Sequence, residues 1–277
     1  PRWTNLGLSI EPRYIKDVIK DINLDIDLKK INFPKHVEIL IAGCGTGQHA
    51  ITTASKYKNA DIFALDLSFN SLAYAKRKAE ELNFKNINFI QGDLLNLRKL
   101  NKKFDLIESV GVLHHMADPQ TGWEILTDCL KNDALMQIGL YSEKARKNII
   151  NIRETINNLK IKTTKKNIIN FRKDIFESNN TNWASLKYSP DFYSTSGVRD
   201  LLFHVQEHRF TIKKIRSYIN KLGLVFLGFE DTYVLDQYKK TYNQTHDLYD
   251  LDKWEDFEKN NSRIFSGMYQ FWCKKIK

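Results

Sequence analysis

Two apolar runs set the reading of the first part of the chain. Val37-Glu38-Ile39-Leu40-Ile41-Ala42 is almost continuously hydrophobic, and Ala60-Asp61-Ile62-Phe63-Ala64-Leu65 repeats the pattern one helix length later. Runs of this kind, too short for helices and without strict alternation, read as strands buried on both faces of a parallel sheet. Between them lie Gly43-Cys44-Gly45-Thr46-Gly47-Gln48-His49-Ala50 and a helical pattern, so the unit is a βαβ of the nucleotide-binding kind. Residues 11–30 carry Tyr14, Ile15, Val18, Ile19 and Ile22 at helical spacing, with Pro12 early, and predict an N-terminal helix. From Ser142 to about Lys173 the chain is amphipathic and rich in Lys, Asn and Ile, again helical. Thr211 to Gly223 predicts a helix with Thr211 as cap and Gly223 as stop. Leu224-Val225-Phe226-Leu227-Gly228-Phe229 and Met268-Tyr269-Gln270-Phe271-Trp272-Cys273 predict strands.

The glycine turn narrows the ligand. Glycines at alternate positions let backbone approach a ligand with no Cβ between, and the helix start after them offers unpaired N–H groups. Asp66 closes the second run about 20 residues past the glycines, where an acid accepts hydrogen bonds from two ribose hydroxyls. An unphosphorylated ribose is therefore expected. A phosphate loop needs G-x-x-x-x-G-K-[ST] and a dinucleotide site G-x-G-x-x-G. The turn here is Gly43-x-Gly45-x-Gly47 followed by Gln48, without lysine, which disfavours pyrophosphate.

On these residues the sequence resembles the class I S-adenosylmethionine-dependent methyltransferases, whose first strand runs into G-x-G-x-G and whose second ends in a ribose-binding acid. Three more stretches look like family landmarks in order. Asn88-Phe89-Ile90-Gln91-Gly92-Asp93-Leu94 resembles the third-strand end, where an acid meets the adenine amine; Phe104 to Met116 resembles the fourth strand and the loop facing the methyl donor; Asp133 to Tyr141 resembles the fifth strand. The resemblance implies an α/β fold, a Rossmann-like doubly wound seven-stranded mixed sheet with an N-terminal helical cap and a helical insertion before the last sheet helix. It divides the chain into a cap (1–35), a methyltransferase core (36–141 and 211–277) and an inserted substrate lid (142–210). It also implies S-adenosylmethionine as cofactor and S-adenosylhomocysteine as product. The cofactor-binding candidates are Gly43, Cys44, Gly45, Thr46, Gly47, Gln48, Asp66, Leu67, Gly92, Asp93, Leu94 and Val110. One position departs from the pattern: the family has an acid two residues before the first glycine, near the methionine ammonium, and this chain has Ile41. The stretch Glu108-Ser109-Val110-Gly111 also lacks the Asn/Asp-Pro-Pro-aromatic turn of enzymes that methylate exocyclic base amines, which disfavours that reaction.

Composition bounds the remaining readings. The 277 residues, 42% hydrophobic and 12% aromatic, are ample for a packed core plus an appendage. No apolar run approaches the roughly 18 residues of a membrane span, and no signal segment opens the chain, so a cytoplasmic protein is expected, with no membrane partner. Cys44, Cys129 and Cys273 are odd in number and far apart, which argues for reduced thiols. The net charge of +10 invites a nucleic-acid reading, but the lysine pairs are short, scattered and without interleaved aromatics, so solvated surface is the expected role. No metal is expected.

Substrate chemistry needs a base and a pocket. His114 and His115 follow the predicted fourth strand, and histidine titrates near neutrality as a general base should. Asp191 to Phe210 is dense in His, Glu, Arg, Tyr and Ser, unlike the lysine-rich sequence around it, and suggests a polar substrate lid. His204, Glu207 and His208 stand at i, i+3, i+4, so a shared helical face is expected; the same H-x-x-E-H spacing is the inverted zinc-peptidase pattern, though no third ligand accompanies it. This stretch, the Pro1-Arg2-Trp3 opening and the late Met-Tyr-Gln-Phe-Trp run are similar to a bacterial methyltransferase domain often found after tetratricopeptide repeats. That resemblance implies a piece of a longer chain, fused to or associated with helical repeats, and puts Trp3, Tyr193, His204 and His208 near substrate. The catalytic candidates are thus His114, His115, Tyr193, His204 and His208, and the acceptor is a small molecule or a peptide. An RNA methyltransferase and a non-catalytic cofactor-binding scaffold remain as alternatives.

Overall fold

The computed structural model describes residues 7–22, 24–180, 183, 185–242 and 248–276. Among them, seven strands form one sheet in the order β3-β2-β1-β4-β5-β7-β6. These are β1 (Val37–Ala42), β2 (Ala60–Asp66), β3 (Ile87–Gln91), β4 (Phe104–Val110), β5 (Leu130–Leu140), β6 (Leu224–Phe229) and β7 (Tyr269–Lys275). The first five run parallel, while β7 is antiparallel to β5 and β6. The chain thus has the doubly wound, mixed seven-stranded α/β sheet that the resemblance implies.

Side-chain alternation divides each central strand between two apolar layers. Ile39, Ile41, Ile62 and Ala64 face a layer with α1 (Ile15–Lys20) and α2 (Gln48–Lys56). Leu40, Ala42 and Leu65 face the other, built on α4 (Pro119–Asp128) and later helices, with Trp123 fully buried at its centre. Between the layers' helices, α3 (Phe69–Glu81) follows β2, capped by Ser68.

After β5 the chain leaves the sheet. α5 (Lys147–Asn158), α6 (Lys165–Glu177) and α7 (Thr195–Leu202) pack Ile152, Ile156, Phe171, Phe192 and Val198 into a third, separate apolar cluster. The segment starts and ends at one place. Ser142 and Phe210 form a parallel bridge, Phe210 N–H donates to the Tyr141 carbonyl at 2.9 Å, and Glu143 N–H donates to the Phe210 carbonyl at 2.8 Å. α8 (Ile212–Lys221) then re-enters the sheet, with Thr211 accepting from Lys214 N–H and Gly223 at φ +64° as predicted.

Four expectations change. The helix predicted over 11–30 is only Ile15–Lys20, because Ile22, Leu24, Ile26 and Leu28 alternate with polar residues in sequence; these apolar side chains pack against the α1/α2 layer while Asp25 N–H donates to the Leu227 carbonyl. The helical stretch from Ser142 is two helices, parted where Lys160 takes φ +51° and Thr164 caps the second. Two helices also stand between β6 and β7 where none was predicted: α9 (Thr232–Thr241) and α10 (Leu251–Asn260), capped by Asp231 and Asp250. Finally, His204, Glu207 and His208 do not share a helical face. α7 ends at Leu202, and the following backbone is extended because the core claims it: His208 N–H donates to the His114 carbonyl at 2.7 Å.

Candidate active site

The carboxyl ends of the parallel strands carry a cavity of about 210 Å³, lined by Gly43, Leu65, Asp66, Leu67, Gly92, Asp93, Leu94, Val112, His115 and Met116. A larger cavity, about 440 Å³, lies at the amino end of β1, among Tyr14, Phe33, Val37 and Lys58, and contains none of the predicted site residues. The location of the first is where open α/β sheets bind ligands.

Its floor is shaped by the glycine turn. Gly43 has φ +80°, and a Cβ there would lie 2.3 Å from Val112 Cγ2; Gly47 has φ +90°, and a Cβ would lie 2.5 Å from that of Ala75. The turn can therefore reach the cavity only with glycine at both places. Asp66 ends β2 with its carboxylate fixed by backbone: Gly45 N–H donates to Oδ2 at 2.7 Å and Ser68 N–H to Oδ1 at 2.9 Å. Asp93 sits past the end of β3 and accepts from Leu95 N–H at 2.9 Å, capping the short 3-10 helix Leu94–Leu100. An acid at each end of an otherwise mostly apolar cavity fits an adenosine group, with a ribose diol at one acid and an amine at the other. Cys44 is buried beside the turn, and burial with the Asp66 charge pushes its thiol up to about 12, so it remains a neutral packing group.

Of the predicted cofactor residues, Gly43, Asp66, Leu67, Gly92, Asp93 and Leu94 line this cavity; Cys44, Gly45, Thr46, Gly47, Gln48 and Val110 do not. Sequence reasoning missed Leu65, Val112 and Met116 as wall residues, although all three adjoin motif positions. The acid missing at Ile41 has a neighbour one strand over. Glu108 pairs in register with Ile41, is buried, and accepts from Thr53 Oγ1 at 2.7 Å with His49 Nε2 at 2.8 Å. Burial resists ionisation of Glu108, but hydrogen bonds and charge from His49, with Thr53, hold its carboxyl below the usual range.

The fourth-strand loop supplies the wall towards the inserted segment. His114 is fully buried, its ring 3.9 Å from that of Tyr141, and neither ring nitrogen has a hydrogen-bond partner among the described residues. Burial, then the charges of His115 and Arg146, push its pKa down to about 2. His114 is thus a neutral wall and no proton acceptor near pH 7. His115 lines the cavity, and its Nδ1 lies 2.9 Å from the Gln206 carbonyl. A carbonyl only accepts, so Nδ1 carries the hydrogen and Nε2 keeps its lone pair. Burial also lowers the His115 pKa, which keeps the ring neutral at pH 7.

His204 joins this group by stacking on His115 at 3.8 Å. His208 meets the loop through its backbone, while its ring lies beside Gln206 at 3.4 Å. Tyr193 does not join: its hydroxyl donates to the Lys187 carbonyl at 2.6 Å and its ring packs near Phe176. Trp3 lies outside the described residues. Glu207, only 1% exposed, accepts from Arg146 through both oxygens at 3.1 and 2.8 Å and pairs with Arg153 at 3.1 Å. Arg146 also stacks over Tyr141 at 3.5 Å. Glu207 is therefore the anchor of the inserted segment and not a free base of a zinc site. No group of three His, Cys, Asp or Glu able to hold a metal ion occurs among the described residues, and no described helix is long and apolar enough to cross a membrane.

Comparison with known proteins bears on this geometry. Residues 34–193 match the family model described as a methyltransferase domain. An uncharacterized protein of a Synechococcus species is 31% identical over 201 residues, 70% of this chain and 48% of that protein. A release factor glutamine methyltransferase of Flavobacterium psychrophilum is 41% identical over 80 residues, 29% of this chain and 28% of its own. The chain thus spans about half or less of the curated relatives that it matches. Among solved structures, PKMT2 from Rickettsia typhi in complex with AdoHcy overlays all of this chain and 56% of its own at a TM-score of 0.66, with 17% identity, a likeness of fold.

Proposed function

The chain belongs to the methyltransferase-domain family, and from that premise we propose that it moves the methyl group of S-adenosylmethionine to a small-molecule or short-peptide acceptor beneath residues 142–210. The observation that carries the reading is that Asp66, Asp93 and His115 line one cavity at the carboxyl ends of the parallel strands. When bound, the cofactor supplies an activated methyl on a sulfonium leaving group. What remains for the protein is to hold the acceptor in line and remove a proton.

Asp66, fixed by two backbone N–H groups, keeps lone pairs on both oxygens for the ribose diol. Asp93 would hold the adenine amine, and Leu67, Leu94 and Met116 would supply apolar walls for the ring. His115 takes the acceptor's proton at Nε2, and the Gln206 carbonyl on Nδ1–H stabilises the imidazolium that results. His114 and Tyr141 exclude water behind it. The acceptor class rests on the polar segment over His115 and not on the relatives' names. The release factor enzyme and a Papaver bracteatum protein named as a probable (S)-tetrahydroprotoberberine N-methyltransferase match only 29% and 35% of this chain.

Calorimetric titration with S-adenosylmethionine tests the proposal. The wild type is expected to bind, and Asp66→Ala to weaken binding about 100-fold, since hydrogen bonds to a charged group contribute roughly 1.5–3 kcal/mol each. His115→Gln should keep binding and lose about 100-fold or more in turnover. No binding by the wild type overturns the reading. Binding without turnover over wide acceptor panels would leave a scaffold, and salt-dependent RNA affinity would point to a nucleic-acid acceptor.

A further inference from the structure

Beyond His115 the inserted segment encloses a second cavity of about 500 Å³, whose wall includes Arg153, His204, Glu207 and Arg209, with the exposed Glu154 at its rim. The two cavities meet at one pair of rings, because His115 lines the first, His204 lines the second, and the rings stack at 3.8 Å. A molecule held in the second cavity against His204 therefore lies one ring away from the proposed base.

Of the charged groups on this wall, Arg153 and Arg209 against Glu154 and Glu207, one guanidinium is left without an ion pair. Glu207 is occupied by Arg146 and Arg153. Arg209 forms no ion pair with any described residue, and its buried Nε has no hydrogen-bond partner among them. The remaining carboxylate on the wall, Glu154, forms no ion pair with Arg209 either. A guanidinium without a counter-charge on a cavity wall favours an anion there, and its fork matches an oxyanion with two parallel hydrogen bonds. The rest of the wall includes Ile150, Ile156 and Phe203, which suits an aliphatic stem behind a charged head.

We propose that this cavity binds an oxyanion of the methyl acceptor, a carboxylate or a phosphate, with Arg209 as the principal partner and Arg153 as the second. The acceptor's reacting atom then extends past His204 and His115 into the donor cavity. The inference rests on the methyltransferase reading and narrows it to anionic acceptors.

The test uses the full chain with two probes, glutarate and inorganic phosphate, each against sodium chloride at equal ionic strength, which removes general screening. A saturable rise in Tm with at least one probe is expected. Arg209→Gln should raise the apparent Kd at least tenfold, Arg209→Lys should raise it less, and the exposed control Lys213→Gln should leave it unchanged. Response to glutarate alone assigns a carboxylate, to phosphate alone a phosphorylated acceptor, and to both a site for either. No response in the wild type, or a response in both Arg209 variants equal to that of the wild type, overturns the proposal; the lysine variant keeps the test valid if the glutamine variant fails to fold. S-adenosylmethionine titrated into the same samples separates the two readings. Cofactor binding without anion binding defeats the subsite alone, and anion binding without cofactor binding defeats methyl transfer alone.

Discussion

Asp66 and Glu207 are two acids fixed in place by opposite means. Asp66 is held by main chain, through Gly45 and Ser68 N–H groups whose positions follow from the β1–β2 register and the glycine turn. Glu207 is held by side chains, in a buried pairing with Arg146 and Arg153 on a segment that has an apolar cluster of its own. The proposed donor side and the proposed acceptor side thus differ in what they tolerate. A site built on backbone survives most side-chain changes around it, whereas a site built on buried charge depends on every partner being present.

The contrast is sharpest if its charged anchor is removed. Glu207→Ala leaves two guanidiniums buried without a counter-charge, and a stability loss of about 3–5 kcal/mol is expected. Hydrogen exchange should show that loss in α5 to α7, with β1 and β2 amides still protected; equal loss in both regions would end the distinction. Acid comes next, acting on the seam between the regions. His114 has its pKa pushed down to about 2 in the native protein, against an ordinary value near 6.5 in the unfolded chain. The unfolded state therefore takes up a proton that the native state refuses as pH falls below 6.5, and stability drops by roughly 1.4 kcal/mol per pH unit, about 2 kcal/mol at pH 5. His115 adds to this in the same direction. Urea unfolding at pH 7 and pH 5 measures the difference, and His114→Phe should flatten it. The smallest effect belongs to the donor side: Gly47→Ala forces a side chain into φ +90° and against Ala75, with an expected cost of about 1–2 kcal/mol in denaturant melts and weaker cofactor affinity. An unchanged melt would show that the turn yields more easily than its geometry implies.

The same difference explains what could be read from the residues alone. Strand periodicity, the spaced glycines and Asp66 are local signals, so the strands and the glycine turn were legible from the residues, while the mixed order of the sheet came from the resemblance these signals carry. The helix cap at Thr211 and the stop at Gly223 were legible for the same reason. Arg146 and Arg153 carry no such mark, because their partner Glu207 lies more than fifty residues away and only the fold unites them. The i, i+3, i+4 spacing of His204, Glu207 and His208 pointed to a helix, yet pairing with the His114 carbonyl draws that backbone out straight. At residues 22–28 an alternating signal was present in the sequence and lost to the helical spacing just before it.

The bridge between Ser142 and Phe210 has a consequence for how such a protein can change. Adjacent strands stand about 4.8 Å apart, so the whole intervening segment hangs from the sheet by two neighbouring stems. It can lengthen, shorten or be exchanged for another without any strand changing its neighbours. If that segment receives the acceptor as proposed, a lineage, or an engineer, can retune the acceptor by swapping a cassette and leave the cavity at Asp66 as it was.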